Sequence, residues 1–362
     1  MDGSRISNYS VPKIFGKFDK VIYDNGNRLS FKSGSVAIKG EYDDQDRLIS
    51  YGQNKYVYSK FGNLSKVEEY VSPSQQPRIT EYEYDSVGNL RAVKLPDGRL
   101  IEYVIDGQNR RIGKKINGKL IQGFIFQSQY QIDAETDGAG KIIRRFVYGS
   151  KFNTPDYVVT GGKEYRIISD QVGTPKVIVE AATGKIVESL NYDEFGISLD
   201  GKHSAYLPFG FAGGVNDRDT GLVRFGARDY DPSIGRWTNK DPILFRGGDA
   251  NLYGYVVNDP INLIDPSGLY WFRQDWQTPG AVGRPGTIVP PGGIISEAIE
   301  RYIPAGYTFG QSHDTFVDWA TSKGVPDWLA NIPSMIPAYV YSIGLEINRT
   351  QGLASQPEPI CK

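Results

Sequence analysis

A short pattern recurs through the first third of the chain, and it limits the possible folds more than any other feature. The pattern is a tyrosine, four or five turn-forming residues, and then Asn or Arg followed by Leu. It occurs at YDNGNRL (23–29), YDDQDRL (42–48), YSKFGNL (58–64), YDSVGNL (84–90) and, in a more degenerate form, YVIDGQNR (103–110). Each copy fits the corner of a β-hairpin, because Gly and Asn supply the positive φ that a tight turn needs. Five copies in order indicate an internal repeat rather than chance turns.

The segments between these corners alternate apolar and polar residues, as RLISYGQNKYVYSK (47–60) and ITEYEYDS (79–86) show. This is the period of a strand with one buried face. The chain also has 24 tyrosines and 42 glycines against 2 methionines and 2 histidines, a composition typical of strands and turns. We therefore predict a mainly β fold in which residues 1–165 form a spiral of antiparallel hairpins.

Charge and composition exclude several classes of protein. The formal net charge is −1, so no basic field favours nonspecific nucleic-acid binding. Cys361 is the single cysteine and cannot form an internal disulfide. The N-terminal residues have no apolar core of a signal peptide, and no run of eighteen apolar residues predicts a stable membrane span. No Cys-x-x-Cys, His-Glu-x-x-His or phosphate-loop motif is present, so we predict no cofactor and no metal site.

Two aspartates in RDYDPSIGRWTNKDP (228–242) form a candidate catalytic pair. If the fold brings Asp229 and Asp241 within a few ångströms, both cannot ionise cheaply, so one serves as an acid and the other as a base. Arg228 would then hold the charged carboxylate or stabilise a developing oxyanion. Their spacing alone favours turn residues over a catalytic pair, because Asp caps its own backbone and Pro fixes φ. The residues alone leave both interpretations open.

Several longer segments resemble a known family. The hairpin units resemble the YD repeats of the Rhs family, which is related to the C components of Tc toxins, to WapA-type wall proteins and to teneurins. The segments DQVGTPKVIVEAATGKIVESLNYDEFG (170–196), FGFAGGVNDRDTGLVRFGARDYDPSIGRWTNKDPI (209–243) and NLYGYVVNDPINLIDPSGL (251–269) resemble the Rhs repeat-associated core domain. The resemblance covers about residues 1–269 and is followed by an unrecognised, variable C-terminal toxin domain.

The resemblance implies both a fold and a reaction. The fold is a hollow β-cocoon that encloses a C-terminal toxin, and this chain is short for such a shell, so we expect a partial cocoon from a truncated or orphan cassette or a larger assembly. Arg228, Asp229 and Asp241 match the self-cleaving site of the Tc toxin C components. Cleavage is expected after Leu269, immediately before Tyr270, with Asp265, Pro266, Gly268 and Leu269 as recognition residues.

The resulting domain prediction has four parts: YD repeats (1–165), a self-cleaving core domain (166–269), a Pro/Gly linker (270–293) and a small α-rich effector (294–362). The linker prediction follows from QTPGAVGRPGTIVPPGG (277–293). In the effector, Asp314 and Asp318 are four residues apart on a predicted helix, and His313 precedes them. These three residues are candidates for a general base or a hydrolase site. An ordinary exposed helix start explains them equally well.

The sequence thus predicts a Rhs-type polymorphic toxin that releases its own effector, for intercellular competition or host intoxication. The resemblance implies a cognate immunity protein and a dedicated export apparatus, and it implies a secreted or cell-surface location. An alternative is a non-cleaving structural or adhesive YD-repeat surface protein, whose tail is a binding or membrane-interacting module.

Overall fold

The computed structural model describes residues 20–33, 36–72 and 74–273. The chain divides into two units, Met1–Gln277 and Thr278–Lys362, and all described residues belong to the first. The predicted α-rich effector, with His313, Asp314 and Asp318, and the predicted linker beyond residue 273 lie outside the described residues.

Seventeen strands form one antiparallel sheet in which each strand pairs with the next along the chain. The strands are β1 (Lys20–Asp24), β2 (Asn27–Ser33), β3 (Val36–Tyr42), β4 (Leu48–Tyr51), β5 (Asn54–Tyr58), β6 (Leu64–Glu69), β7 (Arg78–Tyr84), β8 (Leu90–Lys94), β9 (Leu100–Ile105), β10 (Arg111–Ile116), β11 (Lys119–Phe126), β12 (Ile132–Asp137), β13 (Ile142–Val147), β14 (Tyr157–Thr160), β15 (Lys163–Ser169), β16 (Pro175–Glu180) and β17 (Ile186–Ser189). Within the described ranges, β1 pairs only with β2 and β17 only with β16, so the sheet is open. The predicted mainly β, antiparallel hairpin fold is confirmed.

The repeated tyrosine and leucine flank each corner as cross-strand partners. Tyr42 pairs with Leu48, Tyr58 with Leu64, and Tyr84 with Leu90. All three leucines are fully buried. The fixed Tyr-to-Leu offset therefore sets the register of each hairpin, because a shift by one residue would turn the leucine out of the core.

An aspartate closes most of these corners. The Asp85 carboxylate accepts hydrogen bonds from the backbone N–H groups of Val87 and Asn89, as expected for an Asx turn. The same bonding recurs at Asp43, Asp106, Asp137, Asp170 and Asp193. The corners thus continue through β17, past residue 165.

The segment after β17 forms a second layer. It contains a four-stranded antiparallel sheet of β18 (Val215–Asn216), β19 (Val223–Phe225), β20 (Arg228–Asp231) and β21 (Arg236–Trp237), and a pair of β22 (Leu263–Ile264) and β23 (Phe272–Arg273). Three short 3₁₀ turns span Phe211–Gly213, Leu244–Gly247 and Val256–Asn258. A cluster of aromatic rings, with centroids 4.5 to 6.3 Å apart, packs at its centre: Phe211, Phe225, Tyr230, Trp237 and Tyr255.

This second layer is bound to the corners of the repeats. The Leu64 N–H donates to the Thr238 carbonyl at 2.9 Å, and the Tyr253 hydroxyl donates to the Gly62 carbonyl at 2.8 Å. Arg236 donates to the Asp46 carbonyl at 2.5 Å. Buried backbone groups at the corners thus find their partners in residues 236–253. These contacts fix β20 and β21 against the large sheet.

Candidate functional site

Strand β20 directs two of the predicted site residues to opposite faces. Arg228 and Asp229 are consecutive in this strand, and successive side chains of a strand point in opposite directions. Both side chains are buried, with 3% of Arg228 and 1% of Asp229 exposed. Two separate groups of charged side chains therefore form, one on each side of β20.

The first group, the Asp229 cluster, consists of Asp229, Arg111 and Arg224. Asp229 Oδ2 accepts hydrogen bonds from Arg111 at 3.0 Å and from Arg224 at 2.9 Å. The Arg111 guanidinium also lies over the Tyr103 ring, 3.6 Å from its centroid. Both arginines are buried, and burial lowers the pKa of Arg224. The cluster holds two cations and one anion.

The second group, the Asp241 cluster, consists of Asp241, Asp265 and Arg228. The Arg228 guanidinium lies 2.8 Å from Asp241 Oδ2 and 3.4 Å from Asp265 Oδ2. Its Nε donates to the Gly268 carbonyl at 2.5 Å, and its plane lies 4.2 Å from the centroid of the Trp237 ring. The cluster holds one cation and two anions.

Burial disfavours the ionised forms of both carboxyls in the Asp241 cluster. It raises the pKa of Asp241 to about 6, although Arg228 acts in the opposite direction. Burial also raises the pKa of Asp265, again against the effect of Arg228. A carboxyl with a pKa near neutrality is suited to accepting and returning a proton.

The Leu269–Tyr270 peptide bond lies between these two carboxyls. On the nitrogen side, Asp265 Oδ1 accepts hydrogen bonds from the N–H groups of Leu269 at 3.0 Å and Tyr270 at 3.1 Å. On the carbonyl side, a Cβ atom built on Gly247 would stand 2.6 Å from Asp241 Oδ2 and 2.9 Å from the Leu269 carbonyl oxygen. The Asp241 carboxylate and the Leu269 carbonyl oxygen thus border the same small space.

A cavity of about 10 Å³ opens at this point, with room for roughly one water molecule. Arg228, Asp241, Asp265 and Leu269 line it, together with Asp249. A second cavity, of about 60 Å³, is lined by Pro266 and by Arg111 and Arg224 of the Asp229 cluster.

Gly268 allows the segment to approach β20 closely. Its φ is +66°, and a Cβ there would stand 2.4 Å from the Phe225 carbonyl oxygen and 2.8 Å from the Arg228 nitrogen. Both are backbone atoms that cannot move aside cheaply, so only glycine fits. This closeness allows Arg228 Nε to reach the Gly268 carbonyl.

The structure therefore brings together most of the predicted self-cleavage residues, but it separates the two aspartates of the predicted pair. The residues that meet are Arg228, Asp241, Asp265, Gly268, Leu269 and Tyr270. No hydrogen bond or ion pair in the described residues joins the Asp229 and Asp241 carboxylates. The described part of the chain contains no group of three or more His, Cys, Asp and Glu residues that could hold a metal ion.

A family model described as the teneurin YD-shell matches residues 17–261. The chain belongs to the YD-shell family. The predicted resemblance to Rhs and YD-repeat proteins is confirmed for this part of the chain. No helix within residues 20–273 is long and apolar enough to cross a membrane.

Relatives of this YD-shell chain include animal and bacterial proteins. Teneurin-3 of Mus musculus is 29% identical over 73% of the chain, and the probable deoxyribonuclease RhsA of Dickeya dadantii (strain 3937) is 30% identical over 62% of it. The chain spans only 10% and 16% of the lengths of these two relatives. Among solved structures, a TcdB2-TccC3-TEV crystal structure matches 69% of the chain and 17% of its own length, with 17% identity and a TM-score of 0.39.

Sequence reasoning did not identify three residues of the site: Arg111, Arg224 and Gly247. Arg111 lies 118 residues before Asp229, and no motif links the two positions. Gly247 lies in a 3₁₀ turn that has no periodic pattern. The opposite orientation of Arg228 and Asp229 follows from their consecutive positions in β20, a strand that was not predicted from the sequence.

Proposed function

We propose that this YD-shell chain is part of a Rhs-type toxin carrier that cuts its own backbone between Leu269 and Tyr270 and so frees the residues that follow as an effector. The observation that supports this most directly is the shared space at Gly247, where the Asp241 carboxylate and the Leu269 carbonyl oxygen both lie within 3 Å of one point. Groups with strongly shifted pKa values cluster at functional sites, and burial raises the pKa of Asp241, beside this bond, to about 6.

In the proposed reaction, Asp241 acts as general base and then as general acid. Its carboxylate takes a proton from a water in the cavity, and the water oxygen bonds to the Leu269 carbonyl carbon. The carbon–nitrogen bond to Tyr270 breaks, and Asp241 passes its proton to the departing nitrogen. The new carboxylic acid at Leu269 loses its proton to the new amine at Tyr270, so the products are a carboxylate and an ammonium group. Because the substrate is on the same chain, the step is unimolecular and needs no binding affinity.

Arg228 has a positioning role in this proposal. It contacts the Asp241 carboxylate and the Gly268 carbonyl at the same time, and so holds the base and the bond to be cut in a fixed relation. Asp229, the second aspartate of the predicted pair, would act through structure. Its carboxylate holds two arginines, and its backbone carbonyl accepts the Thr238 N–H at 3.0 Å, which together fix β20 and with it Arg228.

The freed effector is proposed to act in a target cell. The name of the Dickeya relative, a probable deoxyribonuclease, favours an enzyme as effector, and His313, Asp314 and Asp318 remain its candidate residues. A cognate immunity protein, a dedicated export apparatus and delivery from the cell surface complete the proposal.

Intact-mass analysis tests the cleavage. The freshly synthesised full chain is expected to convert into two pieces, one ending at Leu269 and one beginning at Tyr270. Asp241→Asn is expected to remain whole. Asp259→Asn is the matched control, because Asp259 bonds Asn262 and does not line the cavity. A wild-type chain that stays whole, or an Asp241→Asn chain that is cut at the wild-type rate, refutes the proposal.

A further inference from the structure

We infer that Asp265 is a binding site for the α-ammonium group that the cut creates at Tyr270. The inference rests on the proposed cleavage after Leu269. Asp265, a turn residue in the IDPSGL segment (264–269), thereby gains a second role. Its carboxylate holds the nitrogen of the bond before the cut and the charged amine afterwards.

The contacts of Asp265 already converge on that nitrogen. Its Oδ1 accepts the Tyr270 N–H at 3.1 Å and the Leu269 N–H at 3.0 Å. The Ser267 hydroxyl donates to the same oxygen at 2.8 Å and orients it. Only 3% of Asp265 is exposed, so water does not screen this group. A Tyr270 ammonium would therefore form at hydrogen-bonding distance from a buried carboxylate.

The cut places its new positive charge beside a buried carboxylate that shares its arginine with a second carboxylate. Arg228 is one positive charge that serves two buried carboxylates, at 2.8 Å and 3.4 Å. A buried group with an unpaired charge is costly, and a partner of opposite sign removes that cost. The cut creates one ammonium and one carboxylate, so the net charge of the cluster does not change; the ammonium forms beside Asp265, and the new Leu269 carboxylate forms on the side of Asp241 and Arg228.

Other charged and titratable groups surround the site and contribute to its titration. Tyr130 and Tyr255 face Asp265, Asp249 lies near Asp241, and Arg246 lies near the Tyr270 side chain. Of these groups and the Asp241 cluster itself, Asp265 is the carboxylate that accepts a hydrogen bond from the Tyr270 nitrogen. A shift in the pKa of the Tyr270 amine that is caused by Asp265 can thus be distinguished from a shift caused by the other charged groups around the cavity.

The test measures the titration of the new amine. The cut protein is acetylated under native conditions with an amine-reactive ester between pH 6 and 10, and mass spectrometry quantifies the labelled Tyr270 terminus. The reference is the free peptide YWFRQ (270–274). An α-amino group has an ordinary pKa of about 7.7 to 8.0, and a nearby opposite charge raises it by about one unit or more. We expect labelling at pH 7 to be about tenfold slower than for the peptide, with the midpoint shifted to higher pH.

The dependence of the labelling rate on pH distinguishes an ion pair at the amine from simple shielding of the amine from the reagent. Shielding slows labelling equally at every pH, whereas an ion pair shifts the midpoint. Asp265→Asn is expected to return the midpoint to that of the peptide, and Asp249→Asn, which removes the same charge from the cavity lining, is expected to leave it raised.

A wild-type midpoint equal to that of the peptide overturns the inference, as does a midpoint that stays raised in a cut Asp265→Asn chain. If Asp265→Asn is not cut, the inference is tested by comparing the labelling midpoint of the wild-type Tyr270 terminus with that of the free peptide. A wild-type chain that shows one intact mass instead refutes the proposed cleavage, which is a different result.

Discussion

Asparagine in place of Asp229 removes one buried negative charge with almost no change in side-chain shape, and the same substitution at Asp241 is its matched control. Both residues are buried, with 1% of Asp229 and 5% of Asp241 exposed. Their partners differ. Asp229 alone balances Arg111 and Arg224 among the ion pairs of the described residues, whereas Asp241 shares Arg228 with Asp265.

The expected loss of stability follows from what each substitution leaves behind. Asp229→Asn leaves two buried guanidinium groups without the carboxylate that pairs with both, and breaking a buried pair in this way costs about 3 to 5 kcal/mol. At about 2 °C for each kcal/mol in a domain of this size, the unfolding midpoint falls by roughly 6 to 10 °C. Asp241→Asn leaves a balanced pair, Arg228 with Asp265, so the free energy of unfolding changes by about 1 kcal/mol or less.

Urea and thermal unfolding of the full chain, followed by tryptophan fluorescence, measures this difference; Trp237 lies in the core with 1% exposed. The two variants are compared with each other as uncut chains, so that a nick in the backbone does not confound the result. Intact mass is recorded for each sample. Equal midpoints, or a lower midpoint for Asp241→Asn, would show that the charge balance described for the two clusters is wrong.

Three further predictions concern Asp241 and its surroundings. The rate of self-cleavage is expected to rise with pH through about 6 and then to level off, because Asp241 must be ionised to act as the base. Intact-mass time courses at a series of pH values measure this rate, and a rate that falls across this range contradicts the assignment of Asp241 as the base. Uncut wild-type chain, verified by intact mass, is expected to lose stability relative to Asp241→Asn as pH rises from about 4 to 6, since the folded carboxyl holds its proton more tightly than the unfolded one. Urea titrations at each pH measure this. Gly247→Ala is expected to slow cleavage at least about tenfold, because its methyl group fills the space between Asp241 and the Leu269 carbonyl. Gly107→Ala is the control: nothing lies within 4 Å of its new Cβ, so it is expected to be cut at the wild-type rate.

Local chemistry explains why the hairpins could be predicted. The offset between Tyr58 and Leu64 is enough to place one residue at a strand end and the other at the start of the next strand. The later corners at Asp137 and Asp170 were not among the five copies of the pattern, because they keep the capping aspartate but lack the tyrosine and leucine around it. The capping aspartate is therefore the more general signal of these corners.

The site was harder to predict, because its partners are distant in sequence. The motif that contains Asp229 and Asp241 marked the region of the two charged clusters, and IDPSGL marked the Leu269–Tyr270 bond that lies beside the Asp241 cluster. The pairing within that region depends on which face of β20 each side chain occupies, and on Arg111, which comes from a strand more than a hundred residues earlier. A motif identifies the residues of a site but not the face of the strand on which each side chain lies. The alternation of side chains along a strand supplies that information.

Strand β20 separates two buried clusters of opposite excess charge. The Asp229 cluster has one positive charge too many, and the Asp241 cluster has one negative charge too many. The excess charge of each cluster lowers the free-energy cost of burying the excess charge of the other, because opposite charges attract strongly in a buried, weakly screened environment. In the proposed cleavage, Asp229 acts by holding β20, the strand that carries Arg228, and Arg228 in turn contacts Asp241 and the Gly268 carbonyl. Burial raises the pKa of Asp241 to about 6, which suits a base that acts near neutral pH.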